Sequence, residues 1–210
     1  MASMASAQKP AAQPGTPRVG LRERKKIQTR RAIRRAAYRL FEEQGYEATH
    51  ADRIAEAADV SPSTLFRYFP TKEDIVLTDE YDALLEEGLR ARPAGEPMTE
   101  SLRHVAVDAL RRLSAEERAA LVQRVRLIQE VPAIRGRTAE STARHSAMIS
   151  AVLAERTGRH PDDLEIRVVA TAVLAALHEA LTHWVAEDRR DDLGSVVGRA
   201  MGVLGRGLVL

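Results

Sequence analysis

Two prolines, Pro62 and Pro70, delimit a helix of about two turns in the segment DVSPSTLFRYFPTKEDIV, residues 59–76. Ser61 is a favoured N-cap residue, and proline suits the first helical position. Pro70 ends the helix because the residue before a proline is pushed out of the helical region. Isolated helices shorter than about 12 residues are marginal in water. The segment therefore predicts a short helix that packs on other helices through one face and presents the opposite face outward.

Two further helices are predicted before this segment. The first covers residues 19–44 and ends at Gly45, a glycine suited to the position after a helix C-terminus. The second is expected to be capped by Thr49, with Asp52 as the partner three residues later. A tight turn at Asp59 then leads into the short helix.

Helical periodicity divides the short helix into two faces. At about 100° per residue, the polar side chains fall within an arc of about 140° and the apolar ones on the opposite side. The predicted outward face consists of Ser63, Thr64, Arg67 and Tyr68. The predicted anchoring face consists of Pro62, Leu65, Phe66 and Phe69.

The remainder of the chain is also predicted to be helical, since strand-like alternation is missing and breaks fall at helix-length intervals. Thr71 caps a fourth helix, with Asp74 three residues on, and that helix is expected to reach about Arg92. Pro161, followed by two aspartates, predicts another helix start. Residues 1–17, rich in Ala, Ser, Gln and Pro, are expected to form a disordered tail. The further helices are predicted at 97–114, 116–131, 133–157, 161–187 and 191–209.

Composition excludes several classes of function. The 210 residues include no cysteine, which rules out disulfides and thiolate metal sites. The longest uncharged stretch in the C-terminal half, residues 168–178, is too short to span a bilayer, so we expect a soluble, cytoplasmic protein. His178 and His183 are five residues apart, whereas a zinc-protease motif needs four. We predict no catalytic residues, no metal site, no cofactor and no enzymatic activity.

Charge is distributed unevenly along the chain. Residues 1–72 contain 14 Lys/Arg and 7 Asp/Glu, a net charge of +7, whereas residues 73–210 have a net charge of −5. A basic N-terminal third favours contact with a polyanion. The alternative is that arginine is simply abundant, since 28 of the 32 basic residues are Arg. A general abundance of arginine explains the high ratio of Arg to Lys, but it does not explain why the positive charge is concentrated in residues 1–72.

Residues 29–76 contain the pattern of two helices joined by a tight turn. Three motifs extend this pattern: LFEEQGYEAT, IAEAADVS and LFRYFPTKEDIV. Together they resemble the DNA-binding domain of the TetR family of one-component transcriptional regulators. The resemblance implies an all-α, nine-helix homodimer. It implies a three-helix DNA-binding domain at 18–70 and a helical ligand-binding and dimerisation domain at 71–210.

The resemblance also implies DNA-contacting residues. Phosphate contacts are implied for Thr49, Tyr68 and Lys72, and base-edge contacts for Ser63, Thr64 and Arg67. His50 and Ser61 complete the candidate set, although His50 stands where the family commonly has Thr or Ser. Two other positions depart from the family pattern. Asp59 replaces a turn glycine, and Phe66 replaces a tyrosine whose hydroxyl often reaches a phosphate.

The function implied is a ligand-responsive repressor that binds double-stranded, palindromic operator DNA and is released by a small hydrophobic effector, apolar or acyl-type. Candidate effector-binding residues are Gln129, His145, Met148, His178 and Trp184, although side chains of these types more often serve ordinary packing or lie at the surface. Two alternatives stay open. One is an architectural DNA-binding protein without a ligand, and the other is a protein-interaction module whose helix-turn-helix no longer binds DNA.

The last two predicted helices, 161–187 and 191–209, are expected to form the homodimer interface. In the final helix, an apolar stripe runs beside a line of glycines, Gly194, Gly198, Gly202 and Gly205. Each interior glycine costs about 1 kcal/mol of helix stability relative to alanine, which close approach of a partner helix would offset. The alternative is that the glycines merely reflect composition and the stripe packs only within one subunit.

Overall fold

The computed structural model describes residues 21–78, 82–187 and 191–208, and these residues form helices and turns without a β-strand among them. The prediction of an all-α fold is confirmed. The predicted tail at 1–17 lies outside the described residues. The described helices are α1 Leu21–Gln44, α2 Ala51–Ala57, α3 Pro62–Tyr68, α4 Lys72–Leu77, α5 Asp82–Arg90, α6 Met98–Arg111, α7 Ala115–Glu130, α8 Pro132–Thr157, α9 Leu164–Ala186 and α10 Leu193–Gly205.

The described ranges hold ten helices where nine were predicted, because the predicted fourth helix is divided. α4 ends at Leu77, the next residue, Thr78, has an extended backbone (φ −81°, ψ 130°), and α5 begins at Asp82. Residues 79–81, which separate the two, lie outside the described ranges. A continuous helix from Thr71 to Arg92 was therefore a wrong prediction.

A first hydrophobic core holds the N-terminal helices together. Ile33 of α1 and Leu65 of α3 are buried in it, together with Phe69 directly after α3. Leu127 at the end of α7 and Ile134 at the start of α8 belong to the same core. The N-terminal helices are therefore packed directly against helices of the larger C-terminal region.

A second core joins α5 to α10. The buried side of α10 is formed by Leu193, Val196, Val197 and Met201. α10 packs against α6 and α9. A Cβ added at Gly194 would lie 3.3 Å from Arg111 of α6, and one at Gly198 would lie 4.0 Å from Val107 of α6. Gly194 therefore allows close approach of α6 within one subunit, whereas a Cβ at Gly198 would make only an ordinary contact with α6.

The predicted start of the helix at 161–187 is corrected by the structure. α9 begins at Leu164 with Asp163 as N-cap, rather than at Pro161. The Asp163 carboxylate accepts hydrogen bonds from the His160 N–H at 3.3 Å and from Arg159 at 3.1 Å. This carboxylate therefore closes the preceding turn, and Pro161 stays outside the helix.

None of the described helices combines the length and the apolar character that crossing a membrane requires. Over the same residues, no group of three or more His, Cys, Asp or Glu side chains is placed to hold a metal ion.

Candidate nucleic-acid interface

Helices α2 and α3 are joined by a tight turn with a left-handed residue at its centre. Asp59 has φ +53°, a conformation that aspartate tolerates better than most residues. The Val60 N–H donates to the Ala55 carbonyl at 3.0 Å and closes the turn. Ser61 then caps α3, since its hydroxyl accepts from the Thr64 N–H at 3.1 Å. The predicted turn and the predicted cap are confirmed.

The outward face of α3 differs from the predicted one. Phe66 is 47% exposed and Pro62 is also exposed, so both were wrongly placed on the anchoring side. Tyr68 is partly buried and packs against the N-terminal core in place of Phe66, while Leu65 and Phe69 are buried as predicted. The exposed residues of α3 are Pro62, Ser63, Phe66 and Arg67, which span about 140° at about 100° per residue.

Three hydroxyls lie together at the start of α3. Ser61 Oγ is 3.0 Å from Ser63 Oγ and donates to Thr64 Oγ1 at 2.9 Å. At the other end of the helix, the Arg67 guanidinium lies 5.4 Å from the centre of the Tyr68 ring. Arg67 is exposed, and its guanidinium presents donors in a fork that fits guanine O6 and N7. The structure thus places four of the candidate residues on or beside one surface.

Thr49 does not cap α2, contrary to prediction. The N-cap is His50, whose side chain makes no capping hydrogen bond, so Asp52 has no capping-box partner there. Thr49 is 1% exposed, and its hydroxyl donates to the Gly45 carbonyl at 2.7 Å. The hydroxyl is turned inward, toward the carbonyl of the left-handed Gly45 (φ +85°) and that of Leu40 at 3.3 Å. His50 is exposed beside this buried threonine.

Lys72 ties the start of α4 to the loop before α2. Its ammonium donates to the Tyr46 carbonyl at 2.7 Å and to the Thr49 carbonyl at 3.2 Å. The same ammonium lies 4.0 Å from the centre of the Tyr46 ring. An ammonium has three protons, so one remains for a phosphate at this helix N-terminus.

Arg34 connects α1 to α4. Its guanidinium donates to the Ile75 carbonyl at 3.1 Å and to the Thr78 carbonyl at 2.8 Å, which are groups at the end of α4. It also lies 5.7 Å from the centre of the buried Phe69 ring. Arg34 therefore positions the last turn of α4 against the helix that supports α3.

An ion-pair cluster connects α8 to the first turn of α4. Thr71 and Asp74 form the predicted capping box. Arg137 of α8 lies 3.2 Å from Asp74 Oδ1 and 3.7 Å from Glu73 Oε2, and it donates to Thr71 Oγ1. The Tyr46 hydroxyl donates to Glu73 Oε1 at 2.8 Å. We call Tyr46, Thr71, Glu73, Asp74 and Arg137 the α4 clamp.

The α4 clamp changes the pKa of two of its members. Burial opposes ionisation of Glu73, but the hydrogen bonds from Tyr46, from the backbone and from Thr71, together with the charge of Arg137, outweigh it. The pKa of Glu73 therefore lies below its usual value. Burial, followed by the hydrogen bond to Glu73, raises the pKa of Tyr46 above its usual value. Glu73 is thus an anion and Tyr46 a neutral donor at neutral pH.

Sequence reasoning identified Thr71 and Asp74 of the α4 clamp but not Tyr46, Glu73 or Arg137. Thr71 and Asp74 are three residues apart and form a recognisable capping pattern. Arg137 is more than 60 residues from its partners, and nothing in its own neighbourhood marks it. No local signal distinguishes it from other surface arginines.

The five candidate effector-binding residues lie on α7, α8 and α9. Gln129 and His178 are exposed, and His145 and Met148 are partly buried. Trp184 is buried, and its indole N–H donates to the Asp191 carbonyl at 2.9 Å. An open cleft of about 970 Å³ lies between α1 and α7, but none of the five residues lines it. Their role stays a prediction.

Two families match this chain. Residues 33–78 match the family described as bacterial regulatory proteins, tetR family. Residues 96–209, more than half of the chain, match the MftR C-terminal domain family. The first range covers α2, α3 and α4, and the second covers α6 to α10.

Proteins with similar sequences and structures agree with these matches. The HTH-type transcriptional regulator TcmR of Streptomyces glaucescens is 32% identical over 151 residues, which cover 69% of this chain and 67% of TcmR. The fatty acid metabolism regulator protein of Bacillus subtilis is 23% identical over 181 residues, 82% of this chain and 92% of that protein. The crystal structure of Thermus thermophilus FadR, a TetR family transcriptional repressor in complex with lauroyl-CoA, has a TM-score of 0.54 and 26% identity. The structural match covers 86% of this chain and 95% of FadR.

Regulators of the tetR family bind DNA and are not enzymes. The prediction that this chain is not an enzyme is therefore confirmed. The helix-turn-helix with its exposed α3 and the two family matches lead to the same conclusion. The chain belongs to the TetR family of bacterial regulatory proteins and is a DNA-binding transcriptional regulator.

Proposed function

We propose that this regulator is a cytoplasmic repressor that binds palindromic operator DNA as a homodimer and leaves it when an acyl-type effector binds. The main support for an acyl-type effector is the structural similarity to Thermus thermophilus FadR, a repressor bound to lauroyl-CoA, over 86% of this chain. The Bacillus subtilis protein that is similar over 82% of this chain is named as a regulator of fatty acid metabolism.

The DNA-binding part of the proposal rests on the exposed face of α3. Ser63 and Arg67 offer a hydroxyl and a guanidinium for base edges, and Lys72 and His50 offer cations or donors for phosphates beside them. In a helix-turn-helix dimer the two second helices enter major grooves one DNA turn apart, about 34–36 Å. The predicted palindrome follows from that two-fold symmetry.

The dimer part of the proposal rests on the surface of α9. Leu164 is 74% exposed and Val168 is 56% exposed, unusual values for large apolar side chains on a helix. Exposed residues recur along α9 at alternating steps of four and three, the spacing at which two helices pack side by side. This α9 stripe consists of Leu164, Val168, Thr171, Ala175 and His178.

The α4 clamp connects the effector-binding region to the DNA-contacting helix, and this connection is how effector binding would release the operator DNA. α4 follows α3 after only Phe69, Pro70 and Thr71, so a shift of α4 moves the DNA-contacting helix. Arg137 joins α8 to α4 directly, and Ser141 of α8 donates to the Leu77 carbonyl at 3.0 Å. An effector that displaces α8 would therefore displace α4 and change the spacing of the two α3 helices.

The test is release of operator DNA by acyl-CoA. The operator is first selected from random duplexes with the full-length protein, and its Kd is then measured with octanoyl-CoA to stearoyl-CoA present. We expect at least one chain length to raise the Kd by about tenfold or more, a coupling of about 1.4 kcal/mol, while free CoA leaves it unchanged. Free fatty acids of the same lengths distinguish recognition of the acyl chain from recognition of the thioester. An unchanged Kd with every acyl-CoA and every fatty acid would contradict the effector class.

A further inference from the structure

The exposed face of α3 has an apolar half that polar readout of DNA does not explain. Phe66 is the one aromatic among the large apolar side chains that are exposed in the described parts of the chain. Pro62 is also exposed and lies four residues earlier, on the same side of the helix. Ser63 and Arg67 form the adjoining polar half.

Packing within the subunit does not account for Phe66. Leu65, Phe69 and the partly buried Tyr68 already connect α3 to the N-terminal core, and Phe66 points away from them with 47% of its surface exposed. Burying a phenylalanine side chain away from water is favourable. About half of the Phe66 residue is still exposed to water in the free protein, on the face of α3 that the proposed function directs toward DNA.

The major groove offers one apolar feature to a side chain at this position. Among the four bases only thymine presents a methyl group there, at C5, and phenylalanine is one of the side chains that contacts it. Arg67 follows Phe66 in the chain and lies about 100° around the helix. The two side chains are therefore suited to neighbouring base pairs, Arg67 to a guanine and Phe66 to a thymine.

We infer that Phe66 is a specificity-determining residue that reads the C5-methyl group of a thymine in each operator half-site, with Pro62 beside it. The inference rests on the proposed operator binding and adds the chemistry of one recognised base. It also accounts for a phenylalanine without a hydroxyl at this position, since a methyl contact needs an apolar ring and no hydrogen bond.

The experiment removes the methyl group from the DNA rather than only the ring from the protein. Each thymine of the selected operator is replaced singly by deoxyuridine, which lacks only the C5-methyl, and the Kd of the full-length protein is measured at fixed salt. At one position in each half-site we expect a loss of about fourfold, the factor that corresponds to about 0.8 kcal/mol for one buried methylene-sized group. Phe66→Ala should bind the thymine and uracil operators equally at that position.

Three variants complete the design. Phe66→Tyr keeps the ring and should keep the uracil loss, and Arg67→Ala should also keep it, because its contact is to a different base. Phe66→Ala should unfold within about 4 °C of the wild type, since the residue is about half exposed and does not belong to the N-terminal core. If the uracil loss is the same in the wild type and in Phe66→Ala at every position, the ring does not read the methyl group. If the wild type selects no sequence at all, the proposed operator binding itself is wrong.

Discussion

Arg67 and Lys72 have different surroundings, and this difference separates their expected roles. Arg67 is exposed on α3, beside the Tyr68 ring. The Lys72 ammonium already donates to two backbone carbonyls and retains one proton for DNA. Arg67 therefore suits the reading of a base, whereas Lys72 combines a structural tie with a phosphate contact.

We predict that Arg67→Ala costs about 1–3 kcal/mol of operator affinity and relaxes specificity at one base pair. Lys72→Ala should weaken all DNA sequences alike and reduce the slope of log K against log salt by about one. Binding titrations at several salt concentrations, on operator and on unrelated DNA, measure both effects. If both variants lost the same affinity for operator and for unrelated DNA, Arg67 would not be a residue that contacts bases.

At the scale of the helix, α4 is held on two sides. Arg34 of α1 bonds the carbonyls at its end, and Arg137 of α8 pairs with the carboxylates in its first turn. α4 has only six residues, too few for a helix to be stable alone. Its position therefore depends on helices that are distant in sequence, which makes it suitable for relaying a movement of α8.

We predict that Arg137→Met lowers the free energy of unfolding by about 1–2 kcal/mol. Breaking a fully buried ion pair costs about 3–5 kcal/mol, and we expect less here because the Arg137 side chain is 33% exposed. Chemical denaturation measures the loss, and hydrogen exchange should become faster at the amides of α4.

Arg144→Met is the matched control on the same helix. Arg144 forms an exposed pair with Glu140 at 2.9 Å, which typically contributes no more than about 1 kcal/mol. Its removal should leave the exchange of α4 unchanged. Equal losses of stability and equal exchange in the two variants would show that the α4 clamp does not hold α4.

For the whole molecule, the α9 stripe is the surface on which dimer formation is expected to depend. The apolar stripe of α10 is already buried within one subunit, and Gly194 and Gly198 face α6 of the same chain. The exposed side of α9 therefore has more apolar surface left to bury against a second copy than the glycine line does.

We predict that Val168→Glu combined with Ala175→Glu makes the protein monomeric without unfolding it. Both positions are exposed in the subunit, whereas opposed carboxylates in a helix–helix interface repel. Operator affinity should fall by about 100-fold or more, because two half-sites no longer bind as one unit. Ala119→Glu, at an exposed position on α7, is the control and should stay dimeric. Sedimentation measures the mass, and a double variant that remains a dimer would locate the interface elsewhere.

The sequence by itself determined the features that depend on residues a few positions apart. Ser61 as the cap of α3, the capping box of Thr71 and Asp74, and the turn at Asp59 were all predicted and confirmed. Each depends on a side chain and a backbone group within about four residues of each other. The all-α class and the family followed from the same local signals and from the motifs around them.

The tertiary structure alone decided which way particular side chains point and which distant residues meet. Thr49 turns into the core instead of capping α2, and Phe66 faces outward while Tyr68 packs inward. Arg137 reaches α4 across more than 60 residues. These outcomes depend on how neighbouring helices pack, because a short helix with apolar residues on several sides has more than one face that it can bury. Contacts between helices, rather than periodicity within one helix, determine which of these faces is buried.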